Sequence, residues 1–166
     1  MKRTHWRAVG LLGLAVLGGC ATSPFAPSIV HDESLRVAPA TVVTRPSMYV
    51  GRPVLWGGRI IGSQNLSAST ELTVLAYPLD SMGEPRLGRP ALGRFVIREG
   101  GYLETMDFAP GRLVSVYGRI AGVRTGHVGE RPYVYPVVQA HRLYLWPVDR
   151  PKPAVRFGVG IGIGVH

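Results

Sequence analysis

The sequence predicts an all-β domain folded as a small barrel, and three observations carry that prediction. Apolar residues fall in short runs bounded by glycine, proline and aspartate, the pattern of strands and turns. No window shows an apolar period of 3.6, and 22 glycines with 14 prolines leave little room for a long helix. Two of the runs also share one pattern. Val54-Leu55-Trp56-Gly57-Gly58-Arg59-Ile60-Ile61-Gly62 aligns with Ser115-Val116-Tyr117-Gly118-Arg119-Ile120-Ala121-Gly122, each holding an aromatic, a glycine and then Arg-Ile-x-Gly. A mid-strand glycine permits a bulge or sharp bend, and bending lets a small sheet close on itself and lose its exposed edges. Five or six short strands, two of them bent, fit a closed or partly open Greek-key barrel of the OB type. A short sandwich is the other arrangement these runs allow.

The elements follow in order. Strand signals begin near Tyr49. Pro53 to Ile61 is a first β-type run and Glu71 to Tyr77 a second, ended by Pro78 and the turn residues Asp80-Ser81-Met82-Gly83. Gly93 to Arg98 is a third and Leu113 to Ile120 a fourth. Tyr133 to Val138 with Leu143 to Trp146 gives one or two more. A short helix is expected near Ser34–Val37 or Thr105–Phe108. These runs place the barrel domain at residues 48–147.

Outside it the chain is organised differently. Lys2, Arg3 and Arg7 precede an uncharged run from Ala8 to Gly18, and small residues then lead to Cys20, the sole cysteine. That order is a secretory signal of the lipoprotein type over residues 1–19, and its apolar run is shorter than the roughly twenty residues a bilayer core requires. Leu17-Gly18-Gly19-Cys20 resembles the lipobox, which implies that Cys20 carries a diacylglycerol and an N-acyl chain as the mature N-terminus. In Gram-negative lipoproteins an aspartate at the next position often marks retention in the inner membrane. Ala21 there implies the outer membrane, with the domain in the periplasm. Residues 20–47 are expected as the lipidated cysteine and a tether, with Val37 to Val43 apolar enough to dock. Residues 148–166 form a Pro/Gly-rich tail. Its Phe157 to Val165 stretch alternates bulky apolar residues with glycine, so as a strand it has one apolar face. Docking on the barrel, joining a partner's sheet edge, lying against lipid and fraying are all open to it.

Removing Lys2, Arg3 and Arg7 with the leader takes the formal charge from +9 to +6, and all but Lys2 and Lys152 of the 19 basic residues are arginine. Arginine grips phosphates bidentately, although an arginine-rich composition also follows from a GC-rich genome. In the periplasm, anionic lipid, lipopolysaccharide or another envelope protein is the available partner, and nucleic acid is not expected.

No catalytic site is expected. His5, His31, His127, His141 and His166 show no zinc-ligand spacing, no Gly-x-Ser-x-Gly occurs, and Gly57-Gly58 lacks the Lys-Ser/Thr of a phosphate loop. Asp80, Glu84, Glu99, Glu104 and Asp107 read as turn residues or partners of arginine. No metal and no cofactor beyond the chains on Cys20 is expected. What remains for binding is the interleaving of aromatic and basic residues: Trp56 with Arg59, Tyr117 with Arg119, and Arg131 with Tyr133 and Tyr135. Arg142 with Tyr144 adds a further pair. These form a ligand groove unless Trp56 and Tyr117 are instead core residues of bent strands.

From Tyr49 to about Val138 the chain resembles the Slp family of starvation-inducible outer-membrane lipoproteins. The residues carrying this are Tyr49-Val50-Gly51, Trp56-Gly57-Gly58-Arg59-Ile60, Asn65, Pro78-Leu79-Asp80, Gly93-Arg94-Phe95 and Tyr102-Leu103. Asp107-Phe108, Gly111-Arg112, Val116-Tyr117-Gly118, Gly126-x-x-Gly129, Tyr133-Val134-Tyr135-Pro136 and Trp146 complete the pattern. Leu103-Glu104-Thr105 departs from the family's Leu-Asp-Pro. The resemblance implies an outer-membrane lipoprotein with a β-rich domain and no established chemical activity. Together with the absence of an expected catalytic site, this gives as the reading a non-enzymatic lipoprotein that supports the envelope under stress or starvation, with a periplasmic protein-interaction module acting through the tail or a sheet edge as the alternative.

Overall fold

Alternation along the first strand fixes which residues face inward. A computed structural model describes residues 23–148, and in it β1 (Pro53–Asn65) turns Val54, Trp56 and Ile60 into the core. β2 (Ser69–Ala76) contributes Leu72, Val74 and Ala76 to the same core, and β3 (Arg94–Gly100) contributes Phe95 and Ile97. β4 (Leu113–Val128) adds Val114, Val116 and Ile120, and β5 (Arg131–Leu145) adds Val138. Trp56 meets Phe95 edge to face at 5.0 Å between ring centres, the offset geometry that aromatic quadrupoles favour.

The strands close in a ring of order β1-β2-β3-β5-β4. Every neighbouring pair is antiparallel except β3 and β5, which run parallel through Val96–Val137, Ile97–Val138 and Arg98–Gln139. This five-stranded barrel is the arrangement the sequence predicted, and it replaces the sandwich. The repeated glycine pattern is what bends it. Register shifts fall between Ile60 and Gly62 in β1, and between Ile120 and Gly122 in β4. A Cβ on Gly58 would run into the Leu75 carbonyl, and one on Gly118 into the Gln139 carbonyl. Both glycines are therefore required by close approach of a neighbouring backbone.

β4 and β5 run well beyond their expected ends, joined at Gly129 (φ +58°). Tyr133–Val138 and Leu143–Leu145 belong to one strand, because a second shift, between Tyr117 and Gly118, absorbs His141 without ending the ladder. The outer part of this hairpin lays Tyr135 and Val137 over the outward side of Val96. Trp146 is buried beyond the end of β5. Its Nε1–H donates to Ser115 Oγ (2.9 Å), and Ser115 donates to the Gly83 carbonyl (2.7 Å).

The segment expected as a tether up to residue 47 packs on the barrel instead. Phe25, Val30 and Leu35 cover the outward side of Leu55, while Val42 enters the main core. Helical turns at Pro27–Val30, Pro39–Val42 and Pro46–Met48 each begin at a proline, whose fixed φ suits a first turn. The expected helix near Ser34 is a 3-10 turn at Glu33–Arg36, capped by the Asp32 side chain accepting from the Ser34 N–H. Thr105–Phe108 forms turns only. Phe25 is 2% exposed, so burying its ring offsets the entropy of ordering this stretch. The leader, Cys20 and the tail from Asp149 onward lie outside the described residues.

Candidate anion-binding site

With Leu72 and Val74 inward, strand alternation turns Glu71 outward on β2. Register places it directly opposite Arg98 of β3. Arg124 arrives from β4, beyond the bulge at Gly122, where the hairpin curls over the barrel wall. Arg98 donates from Nε (3.2 Å) and Nη2 (3.0 Å) to Glu71 Oε1, and Arg124 donates from Nη1 to Glu71 Oε2. The carboxylate is 5% exposed, while the two arginine side chains keep 40% and 45% of their surface.

Burial alone would raise the Glu71 pKa. The hydrogen bonds and charges of Arg124 and Arg98 outweigh burial and hold the carboxyl below its ordinary value. Two cations and one anion leave the trio with a net single positive charge. A guanidinium carries five N–H donors, and Glu71 takes two from Arg98 and one from Arg124. Arg98 and Arg124 both line one open cavity of about 280 Å³ with Ala121, Gly122, Val123 and Val137, and no acidic residue lines it. On the other side of Arg124, Gly62, Ser63, Gln64 and Thr73 line a second cavity of about 170 Å³ together with Glu71. Two arginines held in place beside a small-residue floor can take a phosphate or carboxylate group through paired N–H donors.

The residues expected to form a groove are dispersed. Trp56 is 4% exposed and points inward, its Nε1–H donating to the Val37 carbonyl at 2.6 Å, so it is a core residue. Tyr117 is half-buried against the Phe25–Leu55 cluster and beside the His141 ring. Arg59 and Arg119 are both exposed, but Arg59 pairs in register with Leu113 and Arg119 with Pro53. Six residues separate them along the ladder, about 20 Å. Arg119 donates to the Gly51 carbonyl at 2.8 Å. Arg131 is exposed at the start of β5, and the Tyr133 hydroxyl accepts from the Arg94 N–H at 2.8 Å. The sequence reading did not single out Glu71, Arg98 or Arg124. Its one available signal was an acidic residue heading the apolar run Leu72–Ala76.

The larger cavity, about 310 Å³, lies in the seam between the N-terminal segment and the barrel, lined by Arg36, Leu55, Trp56, Tyr77, Leu79 and Leu92 among others. Arg36 donates there to the carbonyls of Val30, Leu79 and Asp80, so it serves as a backbone clasp. Among the described residues no three His, Cys, Asp or Glu side chains cluster as metal ligands. Asp80 accepts from the N–H groups of Met82 and Glu84, and Glu104 from the Tyr102 hydroxyl and the Met106 N–H.

Over residues 17–159 the chain matches the outer membrane lipoprotein Slp family. It belongs to that family. It is 35% identical to the uncharacterized lipoprotein YeaY of Escherichia coli over 79% of this chain and 67% of that one. It is 25% identical to the outer membrane protein Slp of the same organism, over 79% and 69%. A small single-stranded DNA-binding protein from Streptomyces coelicolor shares 15% identity at a TM-score of 0.36, covering 57% of this chain and 94% of that one. At that level the likeness says nothing of what this chain binds. As a member of the Slp family the protein is an outer-membrane lipoprotein, and no described helix is long and apolar enough to cross a membrane.

Proposed function

We propose that this Slp-family lipoprotein is a non-enzymatic support of the envelope under stress, anchored through a diacylglycerol and an N-acyl chain on Cys20. Its barrel engages anionic groups of the envelope, the phosphates of lipopolysaccharide or of anionic lipid. The observation supporting this is the cavity that Arg98 and Arg124 line together without a carboxylate. The alternative is a protein-interaction module working through a sheet edge: the ring pairs each described strand on both sides over part of its length, and the outer reach of the β4–β5 hairpin, beyond Ile120 and before Val137, is laddered on one side only. The tail route lies outside the described residues.

The test is sedimentation of the lipid-free protein with anionic vesicles or lipopolysaccharide across a salt series. Capture that falls steeply with salt is the expected result. Replacing Glu71, Arg98 and Arg124 together by Gln, which leaves no buried carboxylate without a partner, is expected to lower capture about tenfold while circular dichroism stays unchanged. Capture that ignores salt, or that the triple variant retains in full, overturns the reading.

A further inference from the structure

We infer that the tip of the Pro78–Arg86 hairpin, at Ser81–Met82, is the membrane-facing end of this protein, resting on lipid headgroups. This rests on the anchoring of Cys20 and follows from the length of chain between it and the barrel. Ser23 is the first described residue and is already fixed: its Oγ–H donates to the Met82 carbonyl at 2.8 Å and its Oγ accepts from the Phe25 N–H at 3.1 Å. Phe25 is buried two residues later. Three residues of chain reach at most about 11 Å even when fully extended.

The acyl chains on Cys20 begin where the hydrocarbon core ends, and the headgroup layer above that level is about 5–8 Å deep on each side. Ser23 is therefore held within a few ångströms of the headgroups, and Met82, bonded to it, is held there too. The tip is also stiff. Asp80 Oδ1 accepts from the N–H groups of Met82 (2.8 Å) and Glu84 (2.9 Å), and Leu79 pairs with Pro85 as an isolated bridge. Ser81 is exposed at its apex. The opposite end of β2 carries the Leu66–Ala68 turn, with Ser67 exposed.

The experiment uses the acylated protein in vesicles of phosphatidylethanolamine and phosphatidylglycerol that contain headgroup-spin-labelled lipid. A fluorophore is attached through Ser81→Cys or, separately, Ser67→Cys; acylated Cys20 has no free thiol to compete. Because the two sites flank opposite ends of β2, itself about 23 Å long, quenching at Ser81 is expected to exceed that at Ser67 by about threefold. Inserting about twelve Gly/Ser residues between Thr22 and Ser23, with a root-mean-square reach of about 19 Å, is expected to abolish the difference. Equal quenching at both sites without the insertion, or stronger quenching at Ser67, in protein whose mass includes the acyl chains overturns this orientation and leaves the anchor standing. Protein whose mass lacks the chains, with a reactive Cys20, overturns the anchor and the orientation together.

Discussion

Glu71 and Arg98 face each other directly across β2 and β3, and that pair holds a nearly buried carboxylate on the outer wall of the barrel. Glu71→Gln keeps the shape and removes the charge that satisfies both arginines. The expected loss is about 1–2 kcal/mol, discounted because both guanidinium groups are partly solvated. Urea unfolding measures it.

Two carboxyls give opposite pH signatures. The folded state lowers the Glu71 pKa below 4.5, so its stabilising effect is full above that value and fades as pH falls through the lower folded value. Glu99 is the reverse: burial raises its carboxyl, only partly opposed by a backbone hydrogen bond from Gly100, so its ionised form subtracts stability near neutral pH. Glu99→Gln is expected to raise the melting temperature near neutrality, and the gain should vanish once the pH drops below 4.5. Melting curves of both variants against pH check the two signs.

Gly58→Ala and Gly118→Ala push a methyl group into a neighbouring carbonyl. Each is expected to cost about 2 kcal/mol or more. Gly62→Ala meets nothing within 4 Å and is expected to stay within about 0.5 kcal/mol of the parent. Chemical denaturation of the three variants makes the comparison.

Ser115→Ala leaves the Trp146 Nε1–H and the Gly83 carbonyl without the hydroxyl that joins them. The site is fully buried, so the expected cost is about 1–3 kcal/mol. Denaturation followed by tryptophan fluorescence reads it.

Phe25→Ala is expected to release the N-terminal segment while the barrel stays closed. Its ring covers Leu55, and loss of a buried phenylalanine typically costs about 3–5 kcal/mol. Limited proteolysis should then cut among residues 23–36, with the far-ultraviolet spectrum unchanged.

The strands and their bends were legible because both signals are local. Alternation places Val54, Trp56 and Ile60 on one face, and glycine marks where Leu75 and Gln139 come close. The docking of the N-terminal segment was legible in part: Val37 to Val43 read as apolar enough to dock, and Val42 does enter the core. Phe25, Val30 and Leu35 follow neither a strand nor a helix period, and they stand among prolines and polar residues that read as a tether. The Glu71 cluster was hidden for another reason. It depends on the β2–β3 register and on how far β4 curls over the wall, and neither is written within one strand. Trp56 and Tyr117 left both readings open, because an aromatic in a bent strand reads alike whether it faces ligand or core.

The parallel contact between β3 and β5 spans three residue pairs and joins positions about forty apart in the chain. Contacts of such separation come late, because closing the intervening loop costs entropy before any pairing repays it. Until Gln139 has left the export machinery, β3 has no partner on its β5 side and the nascent sheet stays open to other chains. Protection from aggregation during synthesis and export thus depends on the last quarter of the polypeptide, and a product truncated before β5 is expected to be insoluble even though four strands are complete.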